Sequence, residues 1–113
     1  MTLEEQKLAV CEKLPELIKI RHHVIGKPPE VVSHTFYWKE EKLENIINWP
    51  TQGLQVCHEA EELCDEWDKY DSWLCEICHR DYGDACHHVH FKCATYEQRL
   101  EALCRVWWPE RFV

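Results

Sequence analysis

The sequence predicts an α+β fold in which a small antiparallel sheet packs between or against three helices, in an αβα sandwich-like arrangement. Two observations lead to this prediction. Amphipathic helical patterns with capping residues open and close the chain, and segments rich in strand formers lie between them. The 113 residues, 45% of them hydrophobic, suit a single domain spanning residues 1–113 with a core of its own.

Residues 1–33 are predicted to form an N-terminal helix and an irregular segment. Thr2 and Glu5 have the spacing of a capping box, and an apolar stripe then runs to Leu14, where Pro15 ends the helix. The next residues, 16–32, are β-rich but interrupted by glycine and two prolines. The pattern therefore predicts irregular chain or a short strand leading to a turn.

Residues 34–113 are predicted to form the core of sheet and helices. Residues 34–39 favour a strand, and a second helix is expected to be capped near Thr51 and to end beyond Trp67. The buried stripe predicted for this helix comprises Val56, Cys57, Ala60, Leu63, Cys64 and Trp67. Residues 72–79 and 85–93 are predicted to pair as a hairpin. Thr95 and Gln98 form a second capping box, which opens a last helix closed by Pro109.

The net charge of −8 argues against a nucleic-acid partner, because binding to phosphates needs a basic surface. The negative charge is concentrated in one stretch, in which Lys69 is the single cation. A solvated helix face is the favoured interpretation of this stretch, and mimicry of a nucleic-acid surface is the alternative. The acidic residues are Glu59, Glu61, Glu62, Asp65, Glu66, Asp68 and Asp71.

The chain contains neither a signal-peptide pattern nor an apolar run long enough to cross a membrane. We therefore expect a cytoplasmic protein with no membrane partner. The eight cysteines are expected to be reduced, because the chain has enough apolar residues to build a core without disulfides.

The segment 73–93 holds four cysteines and four histidines, which raises the question of a metal site. A hairpin register that pairs Cys78 with Cys86 would place these two residues on one face with His88 and His90, a possible zinc set. Reduced core cysteines without a cofactor are favoured, because the glycine or other turn former that usually follows the second cysteine of a zinc hairpin is missing after Cys78. A cysteine nucleophile at Cys86 is not supported, because the sequence supplies no group that would activate the thiol.

Consecutive aromatic residues suggest a surface for a protein partner, because a helix or strand cannot bury all of them. We expect such residues to anchor an interface together with the acidic stretch. The predicted partner-binding residues are Trp38, Trp107, Trp108, Glu62 and Glu66. A homodimer is also possible.

The chain resembles the phage ABA sandwich domain family of small bacteriophage and prophage proteins. The resemblance rests on Asn48-Trp49-Pro50 before the second helix and on Ala94, Thr95, Gln98 and Arg99 at the start of the last one. It covers about the last two-thirds of the chain and implies a phage origin and an α/β sandwich, with no assigned activity. The predicted function is that of a phage-type accessory protein that acts without catalysis by binding a partner, for which a host factor is the candidate. The alternative is a zinc-stabilised binding module.

Overall fold

A computed structural model describes residues 1–25, 31–39, 44–83 and 94–112. It confirms the α+β class, with four α-helices and a three-stranded antiparallel sheet in the described part of the chain. The helices are α1 (Leu3–Glu12), α2 (Trp49–Glu61), α3 (Trp67–Tyr82) and α4 (Tyr96–Trp107), and a 3₁₀ turn covers Pro109–Phe112. The strands are β1 (Ile18–Ile25), β2 (Val31–Lys39) and β3 (Glu44–Ile46).

Both predicted capping boxes are confirmed. The backbone N–H of Glu5 donates to Oγ1 of Thr2 over 3.2 Å, and the backbone N–H of Gln98 donates to Oγ1 of Thr95 over 3.3 Å. In each pair the side chain of the later residue accepts from the backbone N–H of the cap in return. These reciprocal bonds satisfy donors that a helix leaves open at its N-terminus, so α1 and α4 begin where the sequence predicts.

The sheet has the order β1-β2-β3, and β1 pairs with β2 in a register that places Ile18 opposite Trp38. Ile18 and Phe36 lie on the face that packs into the core, where the ring of Phe36 contacts that of Trp49 at 5.6 Å between centroids. The prediction of irregular chain or a short strand for residues 16–32 was therefore partly wrong, because β1 is a full strand of eight residues. Its pairing with β2 over the whole length stabilises a segment whose local signals are mixed.

The second helix is shorter than predicted. It begins at Trp49 with Asn48 as its cap, not near Thr51, and it ends at Glu61. Carboxylates crowd its last turn, where the negative end of the helix dipole opposes them, whereas Asp68 lies in the favourable first turn of α3. The predicted stripe is thus interrupted, because Leu63 and Cys64 lie in the turn after α2 and Trp67 begins α3. Leu63 and Trp67 are exposed.

The first strand of the predicted hairpin is wrong, because α3 continues as a helix to Tyr82. Its buried side chains are Tyr70, Leu74, Ile77 and Cys78, whose spacing is that of one helical face. The strand propensity of residues 72–79 favours a strand, but the packing of the buried face of α3 against α4 stabilises a helix instead. The second strand of the hairpin, at 85–93, lies outside the described residues.

The core lies where α4 meets the other three helices, and the inner face of the sheet joins it beside α1 and through the contact of Phe36 with Trp49 of α2. Leu100, Leu103 and Cys104 of α4 are fully buried, as are Val10 of α1 and Val56 of α2. Within the described ranges, no helix combines the length and apolar composition needed to cross a bilayer.

Candidate functional site: a groove beside the second helix

Helix α2 has two different faces. Gly53, Val56, Cys57 and Ala60 face the core and are buried. A second row, at three- and four-residue spacing, faces solvent and forms one wall of a surface groove. The residues of this row are Gln52, Gln55, Glu59 and Glu62. From Gln52 to Glu62 the helix rises about 15 Å, which sets the length of the groove.

The half of the groove near the end of α2 is a cleft of about 350 Å³. Its walls are Glu59, Glu62 and Leu63 on one side and residues 13–17, which follow α1, on the other. Leu17 is 38% exposed and Leu63 is 49% exposed, so two large apolar side chains face solvent across this cleft. Such a pairing favours contact with an apolar side chain from another molecule.

The other half is a cleft of about 250 Å³ that shares Leu17 and Glu59 with the first, so the two form one continuous groove. The half-buried Trp38, at the end of β2, closes it by donating its indole N–H to Oε1 of Gln52 over 3.2 Å. Lys39 attaches this end of β2 to the opposite wall, because its backbone N–H donates to the Leu17 carbonyl over 2.9 Å and its Nζ donates to the Pro15 carbonyl. We call the whole feature the α2 groove.

The two C-terminal tryptophans adjoin the first cleft through Lys13. The ammonium of Lys13 lies 5.2 Å from the ring centroid of Trp107 and 5.5 Å from that of Trp108, within the range of a cation–π contact. Both rings are half-buried and pack on the core. They therefore support the wall of the groove more than they line it.

The acidic side chains of the α2 groove are Glu16, Glu59 and Glu62. None of the three makes an ion pair within the part of the chain that the structure describes. The two cations of the groove already have contacts, because Lys13 lies over the tryptophan rings and Lys39 donates to a backbone carbonyl. Three carboxylates therefore lie beside the apolar side chains of Leu17 and Leu63 without an ion pair to either lysine of the groove.

The structure brings together some of the predicted partner-binding residues and separates one. Trp38 and Glu62 line opposite ends of the α2 groove, and Trp107 and Trp108 adjoin it. Glu66 does not line the groove. It lies before α3, where its Oε1 accepts from Nζ of Lys69 over 2.8 Å.

Sequence reasoning missed Leu17, Gln55 and Glu59 as parts of a common site. The groove joins the turn after α1, the end of β2 and one face of α2, and these segments are distant in sequence. Exposed polar residues at three- and four-residue spacing on α2 were the only local signal, and they are equally typical of a solvated face.

A second cluster of ionisable side chains is buried where α2, α3 and α4 meet. Nη1 of Arg99 lies 2.9 Å from Oε1 of Glu61, and both side chains are less than 10% exposed. Burial raises the pKa of the Cys57 thiol, and the charge of Glu61 raises it further. The raised pKa keeps the Cys57 thiol protonated, and a buried, protonated thiol is unreactive. The pair of Arg99 and Glu61 beside it therefore has the character of a structural ion pair.

The residues proposed as zinc ligands are only partly described. Cys78 lies on α3, fully buried, with its Sγ 3.8 Å from Oε1 of Gln98, so the register that paired it with Cys86 in a hairpin is wrong. Cys86, His88 and His90 lie outside the described residues. No group of three or more metal-binding side chains occurs in the described ranges. Zinc binding by this segment stays a prediction.

Comparisons with family models, with curated proteins and with solved structures found no match to this chain. The resemblance to the phage ABA sandwich domain family therefore stays a prediction.

Proposed function

We propose that this protein acts without catalysis, by binding a partner protein in the α2 groove. The observation that carries the proposal is the exposure of Leu17 and Leu63 on opposite walls of one groove. Scattered single apolar residues on a surface are ordinary, but two that face each other across a concave feature are typical of contact sites.

The neighbouring aromatic residues support the same proposal. Trp38 at one end and the Trp107–Trp108 pair beyond the other are partly exposed, large and held in place by hydrogen-bonding or cation–π contacts. Residues of this kind contribute most of the binding energy in many interfaces, because they lose little side-chain entropy on binding. The resemblance to phage proteins makes a host factor the partner that we propose, in the host cytoplasm.

Affinity capture with matched variants tests this proposal. Leu63→Lys places a charge in the groove, whereas Leu54→Lys makes the same change at an equally exposed leucine of α2 that does not line it. We expect both variants to fold, because both leucines are exposed. A host protein should be retained by the wild type and by Leu54→Lys and lost with Leu63→Lys.

Equal retention by Leu63→Lys and Leu54→Lys would contradict the proposal. Melting curves of the two variants serve as the folding control, and they should agree with that of the wild type within a few degrees because exposed substitutions change stability little.

A further inference from the structure

The α2 groove is lined by three carboxylates and two lysines, and this net negative charge identifies the kind of segment that it would bind. Glu16, Glu59 and Glu62 surround the apolar walls formed by Leu17 and Leu63. All three carboxylates lack an ion-pair partner in the described ranges, as shown above. A ligand that places cations beside an apolar side chain would match both properties of the surface.

The shape of the groove limits the length of such a segment. A groove of about 15 Å accommodates four or five residues of extended chain, which advance about 3.3 Å each. Successive side chains of an extended segment point to opposite sides, so alternate residues can enter the groove while those between them face its rim. An alternation of apolar and basic residues therefore fits the apolar walls and the carboxylates at the same time.

We propose that the occupant of the α2 groove is a short extended segment of a partner protein in which leucine-like residues alternate with lysine or arginine. This inference rests on the proposed function, because it names the partner of the same site. The apolar side chains contact Leu17 and Leu63, and the cations pair with Glu59 and Glu62. Gln55, between the two ends of the wall, offers an amide to the backbone of the segment.

The contribution of the charges is expected to be moderate. Each solvent-exposed ion pair strengthens binding by roughly two- to fivefold, and added salt weakens it. The carboxylates thus select among apolar segments and favour basic ones over acidic ones.

Titration of the full-length protein with three synthetic peptides of about seven residues tests the inference. All three carry leucine at alternate positions, and the intervening residues are lysine in the first, glutamine in the second and glutamate in the third. The indole N–H signal of Trp38, which is hydrogen-bonded to Gln52 at the end of the groove, reports binding at this site in NMR spectra. The lysine peptide should bind about tenfold more tightly than the glutamine peptide, and the glutamate peptide should bind most weakly.

The double variant Glu59→Gln, Glu62→Gln provides the matched control, because it keeps the shape of both side chains and removes their charge. Its affinity for the lysine peptide should fall by about five- to tenfold, while its affinity for the glutamine peptide should not change. Equal affinity of the wild type for the lysine and glutamine peptides would overturn the inference. It would also be overturned if the lysine peptide shifted only NMR signals outside the groove, or shifted no signals.

Failure of this inference can be distinguished from failure of the proposed function. If the glutamine peptide binds at Trp38 as well as the lysine peptide does, the groove binds protein segments but its charges do not select them. If Leu63→Lys and Leu54→Lys retain the same host protein, the groove itself is not the binding site.

Discussion

The guanidinium of Arg99 and the carboxylate of Glu61 form a buried ion pair, with 2.9 Å between Nη1 and Oε1. Nε of Arg99 also donates to the carbonyl of Ala94 over 3.4 Å. The pair joins α2 to α4 beside Tyr70 of α3, whose pKa burial raises, with a further increase from the charge of Glu61. It therefore fixes the position of the helix that forms one wall of the α2 groove.

Replacing Arg99 alone should be strongly destabilising. Arg99→Met removes the buried cation and leaves the carboxylate of Glu61 with only the exposed ring of His58, 3.5 Å from its Oε1. Loss of the buried partner costs about 3–5 kcal/mol of unfolding free energy. Chemical denaturation of the variant and the wild type measures this loss. A loss below about 1 kcal/mol would contradict the description of the pair as buried and mutually dependent.

Replacing both partners should cost less than replacing one. The double variant Glu61→Leu, Arg99→Met removes both charges and fills their space with apolar atoms, which is often nearly neutral for a buried pair. We expect its unfolding free energy to exceed that of Arg99→Met. If the changes in unfolding free energy caused by the two single substitutions add up to the change in the double variant, the two residues are not coupled.

Gly53 is predicted to be intolerant of a side chain. A Cβ at this position would lie 2.4 Å from Cγ and 2.8 Å from Cβ of Tyr96, where α4 crosses α2. Gly53→Ala gains about 1 kcal/mol in helix propensity, but overpacking costs about 1–3 kcal/mol. We expect a net destabilisation in thermal or chemical unfolding, with Thr51→Ala on the exposed face of the same helix as the control. A Gly53→Ala variant more stable than the wild type would show that α2 and α4 lie further apart than the structure places them.

The protein should lose stability at alkaline pH because of its buried thiols. Burial raises the pKa of Cys104 to about 12 and also raises the pKa values of Cys11 and Cys57. Above about pH 9 the unfolded chain releases these thiol protons while the folded chain keeps them, so the folded state binds more protons and its stability falls as the pH rises. Each thiol contributes about 1.4 kcal/mol per pH unit.

Denaturation curves between pH 8 and pH 10.5 test this dependence. In Cys104→Ala the decline above pH 9 should be shallower than in the wild type, although the variant is less stable at pH 8. The same slope in both proteins would mean that Cys104 does not remain protonated in the folded state.

Two cysteines of α3 should react differently with alkylating reagents. The structure places Cys75 on the exposed face of α3 and Cys78 in the core, whereas the predicted hairpin placed Cys78 on the face of the possible zinc set. Brief treatment with iodoacetamide under native conditions should therefore modify Cys75 and leave Cys78 intact. Mass spectrometry after digestion identifies the labelled residue, and preferential labelling of Cys78 would favour the hairpin.

The parts of the fold that follow from local signals could be predicted from the sequence. Thr2 and Thr95 fix two helix starts through bonds within one turn, and residues 34–39 form a strand as expected. Leu74 and Cys78 were assigned to a strand because their side-chain types suit one, although their spacing to Tyr70 and Ile77 is helical. In this segment the packing of α3 against α4 determines that the chain is helical, although the strand propensity of its residues favours a strand.

The candidate site could be predicted only in part. Trp38 and Glu62 were recognised individually, from an aromatic run and from an acidic stretch. Their placement at the two ends of one groove depends on the attachment of Lys39 to the turn that contains Leu17, a contact between residues 22 positions apart (39 − 17). No pattern within a single segment predicts such a contact. The exposure of Leu63 could not be predicted from the sequence either, because it results from the end of α2 at Glu61.

Site-specific photo-cross-linking tests the central claim most directly. A photoreactive phenylalanine derivative replaces Gln55, in the wall of the α2 groove, or Ser72, an exposed residue of α3 that does not line it. After irradiation in a host extract, we predict a cross-link to a single host protein from position 55 and none from position 72. The same cross-link from both positions, or from position 72 alone, would contradict binding in the groove.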